Sequence, residues 1–240
     1  WVLGDQLNRS IGAMASARPG TARVLLVEAA DRILSSYPES LSRKAVKQLE
    51  DLGAEVRTGW MVTDLGDGTA TLQQGARTQQ LRTAAAVWAA GVKASPLGAE
   101  LVPLGARLDR AGRVQVNADL TIPGHPNIYV VGDLALVEQD GSPVPGVAPA
   151  AMQMGRYVAD RIRGETASDF RYRDKGSLAT IGRSSGVAEF GRVRFSGFPA
   201  WAAWLGIHIF FLIGFRNRFV VLFTWAWAYL TYERSARLIV

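Results

Sequence analysis

In a chain of 240 residues there is no cysteine and there are only two histidines, His125 and His208. Disulfides, thiolate metal sites and a redox dithiol are therefore excluded from these residues, and little is left to hold a metal. The formal charge of +6 is not evenly spread: residues 161–240 carry 12 Lys and Arg against 5 Asp and Glu, whereas residues 1–160 carry 15 against 16. That same basic third holds the apolar run Phe198–Phe215, 18 residues without a formally charged side chain, then Arg216-Asn217-Arg218, then the apolar run Phe219–Leu230. A basic, aromatic and apolar segment of this kind suits a membrane surface. Nucleic acid would want basic side chains interleaved with exposed polar and aromatic ones, and here the aromatics lie inside the apolar runs.

Trp1–Ala17 reads as a helix and Pro19-Gly20 as a turn. Arg23–Glu28 (RVLLVE) is a continuous apolar strand of the buried parallel kind. No GxGxxG turn precedes it, and there is neither an initiator Met nor a signal peptide. An open α/β sheet needs a first strand and a phosphate-binding turn, so the chain is expected to be the C-terminal piece of a longer protein. Pro38–Leu52 follows as an amphipathic helix with Gly53 as its C-terminal stop. Ala54–Thr58 reads as a short strand, Val62–Leu81 as a β-meander broken at Gly66-Asp67-Gly68 and Gln74-Gly75, and Ala84–Ala90 as a return strand. Residues 92–113 form a connector. Then come Val114–Val116, the turn Pro123–Pro126, a strand Asn127–Asp133, a polar loop to Pro145 and a helix Ala148–Ile162, before residues 176–195 lead into the apolar tail.

The stretch Asn127-Ile-Tyr-Val-Val-Gly-Asp133 puts a tight turn and a carboxylate at the carboxyl edge of a sheet, where doubly wound folds bind ligands. Fourteen residues later Val147-Ala-Pro-Ala-Ala-Met-Gln-Met-Gly155 opens a helix with small residues, so carboxylate and helix N-terminus can converge on one molecule. Glu28, at the end of its strand, is placed to accept from ribose hydroxyls and to repel a 2′-phosphate, although Arg32 nearby leaves NADP open. Ala90 and Gly91 end the return strand without bulky side chains, which allows a flat ring to approach. Each of these features also has a purely structural explanation as a strand end, a turn or a solvated charge.

Residues 23–240 resemble type II NADH dehydrogenases, the single-subunit FAD-containing NADH:quinone oxidoreductases. The motifs that carry the resemblance are Val24–Ala29, Trp88–Gly91, Ile128–Asp133, Pro145–Gly155, Lys175–Arg183, and the tail runs Leu212–Arg218 and Trp225–Tyr232. It implies an α/β flavoprotein of the two-dinucleotide-binding-domain, glutathione-reductase type, Rossmann-like and truncated at its N-terminus. Residues 1–91 would belong to the NADH-binding domain, 92–113 to a connector, 114–195 to the FAD-binding domain and 196–240 to an amphipathic membrane-anchoring tail. Asp133 would accept from a ribityl hydroxyl of FAD, with Gly132, Ala148, Pro149 and Met152 around the flavin, and Glu28, Ala90 and Gly91 on the NADH side.

Where the family shows two glutamines, Ala148-Pro-Ala-Ala-Met-Gln153 keeps only the second, so Gln153 is the residue expected to face the quinone and the headgroup preference is left open. The implied reaction runs from NADH through FAD to a quinone without proton pumping, at the cytoplasmic face of the inner membrane, with anionic lipids as partners and a homodimer as an open option. This piece alone would be inactive. A flavin reductase with a soluble acceptor, or a membrane-tethered binding module without chemistry, are the alternatives. For the tail, interfacial helices are expected over a spanning one, because 18 apolar residues only just reach spanning length.

Overall fold

The computed structural model describes residues 23–211 and 215–231, so the expected helix Trp1–Ala17 and turn Pro19-Gly20 lie outside the described residues. Two compact units are present, one made of the residues up to Val87 together with those from Gly176 onward, the other of Trp88–Lys175.

In the first unit, strand β1 (Val24–Glu28) is followed by helix α1 (Glu39–Asp51) and strand β2 (Ala54–Thr58), which pairs with β1 in parallel register from Val24↔Ala54 to Glu28↔Thr58. Pro38 precedes α1 with φ −54°, Glu39 adds a negative charge to the first turn, and Gly53 at φ +87° stops the helix in the left-handed region. Leu41 and Ala45 point inward from α1 and meet Leu26 of β1 and Val56 of β2. β1 is therefore parallel as expected, yet it is half-buried along its length and not fully covered. An antiparallel meander follows: β3 (Met61–Gly66), β4 (Thr69–Gln74) and β5 (Arg77–Arg82). Its first turn is Asp67-Gly68, at φ +48° and +70°, the two positive φ values that a two-residue hairpin of right-handed twist requires.

The expected return strand Ala84–Ala90 does not form. Residues 84–90 lie outside every ladder among the described residues and are exposed from Ala84 onward. Trp88 instead turns its indole N–H back onto the Ala90 carbonyl at 2.7 Å.

The second unit opens with a 3-10 helix, Pro96–Leu104, inside the expected connector. Strands β6 (Val114–Gln115), β7 (Thr121–Ile122), β8 (His125–Tyr129) and β9 (Ala135–Leu136) follow, with β6 parallel to β9 and β7 antiparallel to β8. The polar loop is in fact a hairpin, β10 (Glu138–Gln139) and β11 (Ser142–Pro143), turning at Asp140-Gly141 with φ +53° and +78°. Helix α2 spans Ala148–Ile162 as expected. Val114, Leu120, Ile122, Ala150 and Met154 form the buried core that fixes α2 against the short strands. Asp119 braces the same region. Burial works against its charge, but Thr121 donates through both its hydroxyl (2.5 Å) and its N–H (3.1 Å), Arg161 of α2 stands 3.5 Å away, and together they hold the carboxyl below its usual range. A carboxyl lowered in this way stabilises the fold above its ordinary range, and that contribution fades as pH falls through the lowered value.

Residues 176–195, grouped by sequence with the second unit, fold in the first. Strands β12 (Ser177–Gly182), β13 (Ser185–Phe190) and β14 (Val193–Ser196) make an antiparallel meander whose Val187 is buried with Leu41 and Ala45 of α1. Gln48 Nε2 of α1 donates to the Gly186 carbonyl at 3.2 Å. Helix α3 (Phe198–Phe211) covers the other face of this meander, where a Cβ added to Gly186 would stand 3.3 Å from the Trp201 nitrogen. Gly176 admits the chain to the sheet at φ +100°, and any side chain there would put Cβ 2.4 Å from the Glu189 carbonyl oxygen. Gly176→Ala is expected to destabilise this unit by about 3 kcal/mol or more, measured by chemical denaturation, because neither the left-handed backbone nor the facing carbonyl can yield.

Helix α4 (Phe215–Thr231) packs beside α3, with the Trp204 and Trp225 rings stacked at 5.8 Å. The tail was expected to be amphipathic, but α3 is apolar on every side of its circumference, with β12–β14 covering only one of them. No helix among the described residues is long and apolar enough to cross a membrane. The 14 residues of α3 reach about 21 Å, short of the roughly 30 Å hydrocarbon core.

Candidate functional site

Chain direction changes at Gly132, whose φ of +67° ends the extended run three residues after the β8 ladder and turns it toward the start of α2. A Cβ on Gly132 would stand 3.5 Å from the Ala151 Cβ, and the Gly132 N–H donates to the Met154 sulfur at 3.2 Å. The expected strand to Asp133 thus stops as a ladder at Tyr129, because the left-handed turn that aims Asp133 is incompatible with continuing it.

Asp133 is exposed, and its carboxylate has no hydrogen-bond partner among the described residues. A Cβ added to Gly146 would lie 3.6 Å from Asp133 Oδ1, so the approach to α2 passes directly by this carboxylate. The helix itself begins without a side-chain cap and without an acidic residue in its first turn, and Pro149 removes one of the N–H groups that would otherwise be orphaned. Ala148, Pro149 and Met152 are all exposed at this end. The structure therefore brings together five of the expected residues: Gly132, Asp133, Ala148, Pro149 and Met152. An open carboxylate offers acceptors to a polyhydroxyl chain, and an uncapped helix N-terminus favours negative charge on what lies before it.

Gln153 stands one turn into α2 and is half-buried. Its amide pairs with the backbone of one residue: Nε2 donates to the Arg173 carbonyl at 2.9 Å and Oε1 accepts from the Arg173 N–H at 2.9 Å. Gln139 makes the equivalent pair with Tyr172, its Oε1 accepting from the N–H at 2.8 Å and its Nε2 donating to the carbonyl at 3.2 Å. No motif reading singles out Gln139, since its partner lies 33 residues away.

In the first unit Glu28 ends β1, half-buried, and its Oε1 accepts from the Ala30 N–H at 2.9 Å. One carboxylate oxygen thus fixes the loop, and the other has no hydrogen-bond partner among the described residues. Arg32, expected to leave a 2′-phosphate acceptable, spends its guanidinium on the Tyr37 carbonyl at 2.8 Å and the Ser35 carbonyl at 2.7 Å. Ala90 and Gly91 lie in the second unit, exposed, with Gly91 at φ +76° and the Ala90 carbonyl occupied by Trp88. No cluster of three or more metal-ligating side chains is present among the described residues.

A family model described as pyridine nucleotide-disulphide oxidoreductase matches residues 10–155. The chain is 43% identical over 233 residues to the type II NADH:quinone oxidoreductase Ndh of Mycobacterium tuberculosis, covering 93% of this chain and 50% of that protein. To the type II NADH:quinone oxidoreductase of Staphylococcus haemolyticus it is 36% identical over 171 residues, covering 69% of this chain and 42% of that one. The chain spans about half the length of the curated relatives it matches. Among solved structures, NDH2 from Plasmodium falciparum, determined in complex with NADH, shares the fold with a TM-score of 0.76 at 16% identity, covering 90% of this chain and 60% of that one. A match extending over more than half of its residues, joined to relatives of one kind, shows that the chain belongs to the pyridine nucleotide-disulphide oxidoreductase family and resembles the type II NADH:quinone oxidoreductases within it.

Proposed function

We propose that the complete protein is a membrane-associated flavoprotein that oxidises NADH through FAD and reduces a quinone, without pumping protons. The observation that carries this reading is the open Asp133 carboxylate beside the uncapped start of α2, in a chain whose curated relatives are type II NADH:quinone oxidoreductases. FAD, when bound, supplies the acceptance of hydride and the onward passage of two electrons. Asp133 accepts hydrogen bonds from the ribityl hydroxyls, Gly132 keeps the loop low enough for that approach, and Ala148, Pro149 and Met152 present the positive end of α2 to the ring. In the first unit Glu28 accepts from ribose hydroxyls of NADH; in the second, Ala90 and Gly91 present backbone without bulky side chains to a flat ring. Cysteine is absent, so a disulfide relay from these residues plays no part.

In this reading the NADH-binding part takes in the β1–α1–β2 unit and the β3–β5 meander, and the flavin-binding part ends near Lys175 and not at residue 195. Helices α3 and α4 lie in the membrane interface on the cytoplasmic side of the inner membrane. The chain by itself does not turn over, because half of what its relatives contain is outside it. Anaerobic stopped-flow on the complete protein tests the reading: NADH should bleach a bound flavin, and quinone should restore its absorbance. Bleaching with restoration only by a soluble acceptor would identify a different flavin reductase. A complete protein without flavin absorbance would leave a binding module.

Glu28→Ala is expected to narrow the ratio of kcat/KM for NADH over NADPH about tenfold, the size of one lost repulsion of ~1.4 kcal/mol. Steady-state kinetics with both dinucleotides read it directly. An unchanged ratio would return Glu28 to the role of fastening the Ala30 loop.

A further inference from the structure

Helices α3 and α4 meet through ring contacts. Trp204 stacks on Trp225 at 5.8 Å, and the Arg218 guanidinium stands 5.5 Å over the Phe210 ring. As α3 advances from Trp204 to Phe210, its partner on α4 retreats from Trp225 to Arg218, so the two helices run antiparallel. The last turn of α3 and the first turn of α4 therefore lie at one end of the pair. That end gathers His208 from α3 with Arg216 and Arg218 from α4.

No negative side chain of either helix answers them, because Phe198–Thr231 contains neither Asp nor Glu. The strands β12–β14, which also pack against α3, carry one acidic side chain, Glu189, and it is ion-paired to Arg194 at 2.9 Å, with Arg183 and Arg192 in the turns between the strands. To its two arginines α4 adds only Tyr229, in its last turn. Arg216 is exposed and has no ion-pair partner among the described residues. Both arginines also sit at a helix N-terminus, where the dipole is itself positive and cations are disfavoured. An anion from outside relieves such an arrangement, and the exposed rings of Phe210, Phe211 and Phe219 beside it fit the acyl boundary of a bilayer.

His208 adds a condition. Its ring lies on the Trp204 indole with centroids 4.1 Å apart, and Nδ1 is 3.1 Å from the Trp204 carbonyl oxygen. A carbonyl only accepts, so Nδ1 carries the hydrogen. His208 is exposed, and its Nε2 has no partner among the described residues. In the neutral ring Nε2 then presents a lone pair, which repels a phosphate oxygen; a second proton turns it into a charged N–H donor.

We propose that His208, Arg216 and Arg218 form a site for the phosphate of an anionic lipid headgroup, and that His208 engages it only when protonated, so that attachment to an anionic membrane tightens as pH falls. The proposal rests on the membrane-associated reading given above and adds to it a headgroup class and a proton requirement. An imidazole gains its charge between about pH 8 and pH 5. The contribution of His208 is therefore present at the acidic end of that range and lost as pH rises through it.

The test is co-sedimentation of the complete, flavin-loaded protein with vesicles of phosphatidylcholine, alone or with about one-quarter phosphatidylglycerol, at about pH 8 and about pH 5.5 and constant ionic strength. Wild-type partition onto the phosphatidylglycerol vesicles is expected to rise about fivefold on acidification, the effect of one added cation near an anionic surface, and to stay level on phosphatidylcholine. His208→Gln should bind as the wild type does at the higher pH and lose the rise. His208→Lys, cationic throughout, should bind at the upper level at both. Arg216→Gln should bind about fivefold less at both and keep the rise. A rise that persists in His208→Gln would place the titrating group elsewhere and overturn the proposal, as would an equal rise on phosphatidylcholine or unaltered binding by Arg216→Gln. Wild-type protein that binds neither vesicle at either pH would overturn the membrane reading itself, whereas binding that is indifferent to pH would overturn the proton-dependent site alone.

Discussion

Asp133→Ala in the complete protein is expected to lose FAD on dilution and gel filtration, with the ratio of flavin absorbance to protein absorbance falling well below that of the wild type. The carboxylate has no partner among the described residues, so its removal breaks no bond of the fold and the loss falls on the ligand. A hydrogen bond to a charged acceptor contributes about 1.5–3 kcal/mol, which weakens binding roughly ten- to a hundredfold. Asp133→Asn separates charge from hydrogen bonding: it keeps an acceptor and is expected to retain more flavin than alanine does. The thermal midpoint of the apoprotein should move little in either variant, since it is the Gly132 N–H and not Asp133 that bonds α2, at the Met154 sulfur. Stoichiometric flavin in purified Asp133→Ala would remove the carboxylate from the site and leave the loop as a turn.

What could be read in the sequence divides along physical lines. Helices α1 and α2 were legible because their signals are local: Pro38 and Gly53 bound the first, and Pro149 inside an Ala-rich start opens the second. Asp67-Gly68 identifies one hairpin by the two left-handed residues it needs; the same dipeptide at Asp140-Gly141 turns the β10–β11 hairpin, where strands of two residues each in a polar stretch leave no alternation to mark them. The strand expected at Ala84–Ala90 failed for a different reason. Its apolar composition suits a strand, but a strand is stable only beside a partner, and none pairs with it among the described residues. Membership of β12–β14 in the first unit depends on Val187 meeting Leu41 and Ala45, more than 140 residues away, which no periodicity encodes. The candidate site shows the same split, with Gly132 and Asp133 visible as a motif while Gln139 became visible only through its two bonds to Tyr172.

Introducing aspartate at both Phe219 and Phe223 is expected to shift the complete protein from the membrane fraction to the soluble one. Phe219, Phe223 and Trp227 recur every four residues along α4 and are 58%, 72% and 54% exposed, so they form one apolar stripe with more than half of each side chain open to solvent. On α3, Phe210 is 66% exposed, and Arg218 stands over its ring at 5.5 Å. A basic group over an aromatic ring suits the headgroup level of a bilayer, where the ring enters the acyl boundary and the guanidinium meets phosphate. Burying one Phe side chain contributes about 1.5–3 kcal/mol, so losing two and inserting two carboxylates should lower partition into vesicles containing anionic lipid at least a hundredfold. Deleting the whole tail would be a poorer experiment, because Ala200 is buried and α3 covers one face of the β12–β14 meander; truncation would unfold what the point changes leave intact. Binding of the wild type should also weaken with added salt, as the Arg216 and Arg218 attractions are screened. Retention of the double variant in carbonate-washed membranes, with a tag at Val240 protected on the side away from the flavin domain, would mean a spanning arrangement and would remove the interfacial one. Unaltered vesicle binding by the double variant, with the tag still accessible, would move the membrane contact to a different surface.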